Sequence, residues 1–284
     1  DLTDERSAHI NKLKGDLHTV FPQYLDVFCD VTGKTSTMIL RQYGTPDKIL
    51  RGHKKTMIEK ISKASRKGLA KASERYEKLC AAANAAKTFG CQIDSIYFNI
   101  FLTLDLVEKL DSALDSILNR IRQLITFNKN EKFIQQIKLL NTIPGVGFLT
   151  AVTIMCEIGD FSAFRNPKQL FAYFGLDPEV NESGKFVGTQ LHMSKRGSRI
   201  ARRAIFAVAL ASIRTKRNGE GINPYLRKYY ELKSGQKPKM VAIGAVMHKV
   251  CNIVFAVLRD EKAFELRSPE EHCKQYQRPA LAAA

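Results

Sequence analysis

The chain has 284 residues and a formal net charge of +17, with 44% hydrophobic and 26% charged residues. This length suffices for one large or two modest cores, and the composition argues against a disordered chain. The six cysteines contain no CxxC pair, which excludes a zinc-finger spacing and suits reduced thiols. The excess of positive charge predicts an acidic partner, of which nucleic acid is the commonest.

Residues 1–129 are predicted to form a helical and coiled-coil region. The stretch from Lys60 to Lys87 is rich in alanine and lysine, has Gly68 as its only breaker, and is predicted to be a solvated helix. From Phe98 to Phe127 the apolar residues recur in heptads, at Ile100, Val107, Leu114 and Ile121 and at Leu110, Ile117 and Leu124. Two alternatives stay open for this arm, which either joins two chains or packs on its own chain.

A polar break at Asn128–Asn130 marks the predicted domain boundary. Residues 130–267 are predicted to form a compact helical domain, and residues 268–284 form a tail. The most apolar stretch, Met240 to Leu258, suits a buried core helix better than a membrane span, so no membrane partner is expected. The predicted fold class is therefore mostly α.

The segment from Leu140 to Ala151 has the pattern of a helix-hairpin-helix motif. Gly145 and Gly147 permit a tight turn, after which backbone N–H groups at a helix start can meet a phosphate. Such a contact holds the nucleic-acid backbone without reading bases. The alternative is that the turn only connects two helices.

A short scaffold helix is predicted after Asn166, which is a natural N-cap before Pro167, and Gly175 ends it. The following stretch from Asn181 to Lys185 has no apolar anchor and is predicted to be a loop. Ser183 lies in this loop beside a glycine and close to Lys185.

The positive charge is concentrated between Lys185 and Lys239, a segment that contains fourteen Lys and Arg residues and only two Glu residues. Here an Ala/Ile/Val-rich helix is predicted to run to about Ile213, with Ser194 or Ser198 as its cap. If this helix covers three nearby arginines, they share one face and form a phosphate clamp, while a stripe of apolar residues packs inward. The clamp is Arg196, Arg199 and Arg203, the stripe is Ile200, Ala204, Val208 and Ala211, and Lys185, Lys195 and Arg202 complete the predicted nucleic-acid-binding set.

The order of these segments resembles the C-terminal transposase domain of insertion-sequence transposases related to the Piv and MooV DNA invertases (insertion-sequence family 110). The resemblance rests on IPGVG, TA, FxxPxxLxxYxGLxP, SGK, SKRG and RxxRR, and is strongest from about Leu140 to Ser212. Residues 1–128 resemble the helical and coiled-coil connecting region of that family.

The resemblance implies a catalytic serine, and Ser183 matches the serine of the Ser-Gly motif; Ser194, in Ser-Lys-Arg-Gly, is the second candidate. It also implies a structured guide RNA that pairs donor and target DNA, a dimer or tetramer, and a prokaryotic cytoplasmic, nucleoid-associated location. In that family an N-terminal RuvC-like domain holds magnesium with four acidic residues. No such domain is recognisable here, so no metal or cofactor is expected in this chain, and its activity alone is in doubt.

Two functions on nucleic acid are weighed, and a third reading is a structural dimerisation module built on the heptad arm. The first is a DNA transposase or site-specific recombinase that cleaves and rejoins strands through a serine nucleophile. The alternative is a non-catalytic helical protein that binds nucleic acid through the hairpin motif and the basic helix. Both predict salt-dependent binding, and only the first predicts a covalent DNA adduct.

Overall fold

The computed structural model describes residues 1–91, 93–179, 182–183, 186–187, 192–268 and 270–271. These residues fold as two compact units, Asp1–Gln123 and Leu124–Ala284. Nearly all of their regular structure is helical, which confirms the mostly α fold class.

Unit 1 is a helical assembly around one apolar core. Its largest fully buried side chains include Phe21, Tyr24 and Leu79. The Tyr24 hydroxyl donates to the backbone oxygen of Ser36 at 3.1 Å, so its buried polar end is satisfied. The helices are α1 (Leu2–Val20), α2 (Tyr24–Val27), α3 (Lys34–Gln42), α4 (Pro46–Arg51), α5 (Lys54–Ser65), α6 (Leu69–Phe89) and α7 (Asp94–Thr126).

The single solvated helix predicted from Lys60 to Lys87 is wrong. The chain turns at residues 66–68, where Arg66 adopts a left-handed conformation (φ 52°) and Gly68 begins α6. The turn lets α5 and α6 pack side by side, which buries Met57 and Ile61 on α5 and an alanine-rich face on α6. A continuous helix would leave these faces in water, so burial of apolar area favours the turn.

Helix α7 is the predicted heptad arm, and its two halves differ. Ile100, Leu104 and Val107 in the first half are buried within the chain. In the second half Ile117 is 46% exposed and Leu124 is 55% exposed. Packing of the arm on its own chain therefore explains the apolar residues in the first half of the heptad seam, but not those in the second half.

Unit 2 is organised around a long apolar helix. Its elements are α8 (Glu131–Leu140), α9 (Phe148–Ile158), a 3-10 turn (Phe161–Ala163), α10 (Pro167–Tyr173), β1 (Glu182–Ser183), β2 (Phe186–Val187), α11 (Arg199–Ile213), α12 (Pro224–Ser234) and α13 (Lys239–Asp260). Within the described residues α13 is the one helix whose length and composition would allow a membrane span, and 56% of its apolar window is buried. It packs against α8, α10, α11 and α12, as expected for the predicted core helix.

The scaffold helix α10 begins as its sequence predicts. The Asn166 side chain accepts a hydrogen bond from the Gln169 N–H at 3.0 Å, and Pro167 occupies the first turn. Gly175 follows with φ 65°, a conformation that favours glycine. The two ends of α10 are therefore fixed, and the chain after Gly175 leads directly into the candidate functional site.

Candidate nucleic-acid interface

Helices α9 and α11 lie antiparallel, and this arrangement divides the predicted binding residues. Ser198, which precedes α11, donates to the carboxylate of Glu157 near the end of α9. Ser212, near the end of α11, donates to the backbone oxygen of Pro144 before α9 at 3.0 Å. The 15 residues of α11 span roughly 22 Å. We call the part around residues 194–203 the arginine end, and the part around residues 141–147 and 214–221 the turn end.

The arginine end begins with a capped helix. The Ser198 hydroxyl accepts from the Ala201 N–H at 3.0 Å, so α11 starts at Arg199 and Ser198 is the predicted cap. The predicted three-arginine face is therefore wrong for Arg196, which precedes the helix. Arg199 and Arg203 are four residues apart and do share a face.

The apolar stripe predicted for α11 is partly wrong, because Ile200 is 57% exposed. The helix is rotated so that an adjacent row of small and branched residues faces the core. Ile200 consequently lies on the solvent side, beside the arginines. The buried row is Ala201, Ala204, Ile205, Val208, Ala209 and Ser212.

Four cations are presented to solvent at the arginine end: Lys195, Arg196, Arg199 and Arg203. None of them forms a salt bridge with a residue that the structure describes. Arg202 differs, since its Nη1 donates to the backbone oxygen of Phe174 at 3.1 Å and the residue is half-buried. Arg202 thus joins α11 to the end of α10, while the other four are free to meet an anion.

The segments on either side of the Ser183 region are joined as an antiparallel pair. The Lys195 N–H donates to the oxygen of Gly175 at 3.1 Å, and the Glu179 N–H donates to that of His192 at 2.7 Å. A Cβ on Gly197 would lie 2.0 Å from the Tyr173 oxygen, so the two backbones meet where only glycine fits. This close pairing forms the base of a hairpin.

Further along the hairpin, the backbone of Ser183 pairs with Phe186, and Glu182 pairs with Val187. The predicted loop is therefore wrong for residues 182–183, because backbone pairing makes them a short strand. Lys185 lies outside the described residues.

Ser194, the second serine candidate, lies at the hairpin base. Its Oγ donates to Asp177 Oδ1 at 2.6 Å, and its N–H donates to the Asp177 backbone oxygen at 2.8 Å. A hydroxyl held by a carboxylate has the geometry of an activated nucleophile and equally that of a structural anchor. The direct pairing of Ser194 with Asp177 could not be read from residues 17 positions apart.

At the turn end, the two glycines have different surroundings. Gly145 adopts φ 96°, and a Cβ there would lie 2.8 Å from the Ser212 hydroxyl. Gly147 caps α9 without a side-chain hydrogen bond, and the space beside its Cα is open. Gly145 is therefore required by packing against α11, whereas nothing described in the chain requires a glycine at position 147.

A basic loop at the turn end is a feature that the sequence patterns above do not predict. The Ile222 N–H donates to the Arg214 oxygen at 2.8 Å and the Lys216 N–H donates to the Glu220 oxygen at 2.7 Å, which holds Lys216 and Arg217 at an exposed tip. The signal was present, since Asn218-Gly219 is a hairpin dipeptide flanked by cations. This loop adds positive charge beside the α8–α9 turn.

A magnesium site does not fit the side chains that the structure describes. Among these residues no group of three or more His, Cys, Asp or Glu side chains is placed to hold a metal ion. The chemistry that this part of the chain offers is a hydroxyl group and exposed guanidinium groups.

The chain is similar to proteins of insertion elements and to a gene-inverting protein. Residues 137–231 match the model of the family described as transposase IS116/IS110/IS902. The chain is 24% identical over 272 residues to an insertion element IS110 protein of 43.6 kDa from Streptomyces coelicolor, covering 95% of this chain and 63% of that protein. It is 30% identical over 177 residues to the pilin gene-inverting protein of Moraxella bovis, covering 62% of this chain and 52% of the relative. It is 26% identical over 188 residues to the transposase for IS1111A of Coxiella burnetii, covering 64% of this chain and 50% of the relative. The chain thus spans less than two thirds of each of these proteins.

Proposed function

We propose that the chain belongs to the insertion-sequence transposases of the IS116/IS110/IS902 family, whose model matches residues 137–231, and that it binds, cuts and rejoins DNA strands in transposition or site-specific recombination. One relative is named a transposase and another a gene-inverting protein. Both names describe the movement of DNA segments, which requires strands to be cut and joined again. The proposal assigns the DNA contact to unit 2.

The observation that carries the proposal is the position of the hairpin base. Asp177 and Ser194 close the hairpin directly before Lys195 and Arg196, so the exposed cations of the arginine end follow it in space and in sequence. Guanidinium groups bind phosphate oxygens in a bidentate manner and hold the backbone without reading bases. A hairpin that begins beside such groups is suited to bring a hydroxyl to a phosphodiester.

Ser183 is the proposed nucleophile, on the family resemblance and on its place in the short strand pair beyond the hairpin base. In the proposed step its Oγ gives up a proton to a base and bonds to phosphorus, while the bond from phosphorus to the departing sugar oxygen breaks. That oxygen takes up a proton and leaves as a hydroxyl. The phosphoserine link conserves the bond for rejoining, and nearby arginines stabilise the charge in the transition state.

The remaining parts of the proposal come from the family resemblance. They are a structured guide RNA, assembly as a dimer or tetramer, action at the nucleoid of a prokaryotic cell, and a magnesium site on a RuvC-like domain that supplies activation of the hydroxyl. The exposed second half of the α7 seam, with Ile117 and Leu124, supports an oligomer because heptad seams bury such residues against another helix.

Binding is tested with titrations of duplex DNA at several salt concentrations. Replacing Arg199 and Arg203 by Gln is expected to lower the slope of log affinity against log salt by about 2, since each lost phosphate contact removes roughly 0.9. The matched control replaces Lys14 and Lys109, two exposed cations of unit 1, by Gln. Equal slopes for the two variants would refute a DNA contact at the arginine end.

The nucleophile is tested in a chain that includes the RuvC-like domain, by trapping a covalent protein–DNA adduct. Ser183→Ala is expected to abolish the adduct while the affinity for DNA is retained, and Ser194→Ala is expected to keep it. Loss of the adduct in Ser194→Ala alone assigns the nucleophile to Ser194. Binding without an adduct in the unaltered protein supports the non-catalytic alternative.

A further inference from the structure

The net positive charge of unit 1 comes from one segment of it. Residues 48–78 contain eleven Lys and Arg residues against three Glu residues. The rest of unit 1, residues 1–47 and 79–123, contains nine Lys and Arg residues against twelve Asp and Glu residues. A solvated surface needs no such separation of signs, so the basic segment marks an interaction surface.

The centre of the basic segment is the turn between α5 and α6. No carboxylate occurs from residue 60 to residue 73. Four cations around the turn are exposed and form no salt bridge with a described residue. We call these four the α5–α6 cluster: Lys63, Arg66, Lys67 and Lys71.

Side-chain hydrogen bonds hold the turn that carries the cluster. The Ser62 hydroxyl donates to the Lys67 backbone oxygen at 2.8 Å, and the Lys67 N–H donates to the Ser65 hydroxyl at 3.3 Å. Buried Ile61 and Ala72 anchor the two helices on either side. The cations therefore project from a fixed base, which lowers the entropy lost when they bind a partner.

Arg66 has a conformation that its side chain does not favour. Its φ of 52° lies in the left-handed region, which costs a non-glycine residue about 1 kcal/mol. A glycine would satisfy this turn without strain, as at many helix ends. The arginine at this position is thus explained by its charge rather than by the turn.

We propose that the α5–α6 cluster binds the sugar–phosphate backbone of a nucleic acid, at a site separate from that of unit 2. A duplex carries about one negative charge per 1.7 Å of its axis, so a compact group of cations can neutralise several neighbouring phosphates. The cluster offers charge without a pocket for bases, which predicts binding that is insensitive to sequence. The inference does not depend on transposase activity.

The first test measures salt-dependent binding of the full chain to a duplex DNA, a single-stranded DNA of the same sequence and a duplex RNA. Changing Lys63, Arg66, Lys67 and Lys71 to Gln is expected to lower the slope of log affinity against log salt by about 3.6 for a duplex that contacts the whole cluster. The control changes Lys12, Lys14, Lys34 and Lys109 of unit 1 to Gln, with the same loss of charge. The nucleic acid with the largest difference is the preferred ligand, and equal slopes for both variants with all three probes would overturn the proposal.

The second test separates binding from folding at a single residue. Arg66→Gly removes one cation and relieves the left-handed strain, so thermal stability is expected to stay the same or rise while the salt slope falls by about 1. Acetylation of lysines followed by mass spectrometry is expected to show nucleic-acid protection of Lys63, Lys67 and Lys71 but not of Lys14. Full reactivity of the cluster lysines in the complex would contradict the proposal, even if the Arg199 and Arg203 variant confirmed binding by unit 2.

Discussion

The Ser194 hydroxyl donates a hydrogen bond to the Asp177 carboxylate at 2.6 Å and closes the base of the hairpin that carries Ser183. The Ser194 N–H bonds the Asp177 backbone oxygen as well, so the two residues are joined twice. This relationship places the second serine candidate at the hairpin base, where its hydroxyl is held by a carboxylate. It also leads to the first prediction.

Asp177→Asn is expected to weaken the hairpin base without unfolding unit 2. The change replaces a charged acceptor by a neutral one, and hydrogen bonds to charged groups are worth about 1.5–3 kcal/mol. Hydrogen exchange should become faster at the amides of Glu179 and Ser194. The control is Ser162→Ala, which removes a hydroxyl from a different carboxylate, that of Asp160, and should leave those two amides unchanged.

Gly145→Ala is expected to lower stability, whereas Gly147→Ala is expected to leave stability nearly unchanged and to lower the affinity for DNA. A Cβ at position 145 meets the Ser212 hydroxyl at 2.8 Å in a left-handed backbone, so the free energy of unfolding should fall by about 1–3 kcal/mol. A Cβ at position 147 meets open space and should leave stability nearly unchanged, yet lower the affinity for DNA if phosphate approaches the start of α9. Urea unfolding and DNA titration measure the two effects. Unchanged affinity in Gly147→Ala would restrict the α8–α9 turn to a structural role.

Gly197→Ala is expected to be among the most damaging single changes in unit 2. Its Cβ would lie 2.0 Å from the Tyr173 oxygen and 2.4 Å from the Gly175 nitrogen, and both are backbone atoms that cannot rotate away. We expect loss of the hairpin base, observed as rapid hydrogen exchange at Lys195 and Ser198. Gly244→Ala is a suitable control, since a Cβ there meets nothing within 4 Å. A stable Gly197→Ala protein would show that the two backbones can separate at little cost.

His248 is expected to make unit 2 less stable in acid. Burial and, to a smaller extent, the neighbouring Lys249 lower the pKa of His248, whose ring meets the Phe171 ring edge-on at 4.3 Å. The folded protein therefore binds this proton less readily than the unfolded chain. Its contribution is complete above the unfolded pKa of about 6.5 and is lost as the pH falls through that value towards the folded pKa. Urea unfolding from about pH 7.5 to about pH 5 should show a flatter dependence in His248→Gln, and parallel curves would contradict the assignment.

Local patterns predicted several elements well. The heptads of α7, the apolar run of α13 and the Asn166-Pro167 start of α10 are each encoded within a few turns of chain. Ser198 was one of two predicted caps of α11, and its bond to Ala201 confirms it. Such signals depend on propensity and capping, which act between neighbouring residues.

Predictions that required distant contacts were less successful. Arg196 shares a face with Arg199 and Arg203 only if the helix extends back to it. The helix begins at Arg199 instead, because the Gly197 backbone lies against that of Tyr173. The spacing of the apolar residues predicts a buried Ile200, but 57% of this residue is exposed. The partners that decide the rotation of α11 are α9 and α13, and no pattern within α11 identifies them.

The resemblance to insertion-sequence transposases, whose family model matches residues 137–231, rests on short ordered motifs of residues that are close in sequence. The concentration of positive charge between Lys185 and Lys239 is likewise visible in the sequence alone. Folding alone determined how those motifs are grouped. Because α9 runs antiparallel to α11, the predicted binding residues are divided between two ends roughly 22 Å apart, and the Arg214–Gly221 loop joins one of them. Likewise, the turn after Ser65 gathers the cations of unit 1 at one place, since burying the faces of α5 and α6 is worth more than continuing a single helix.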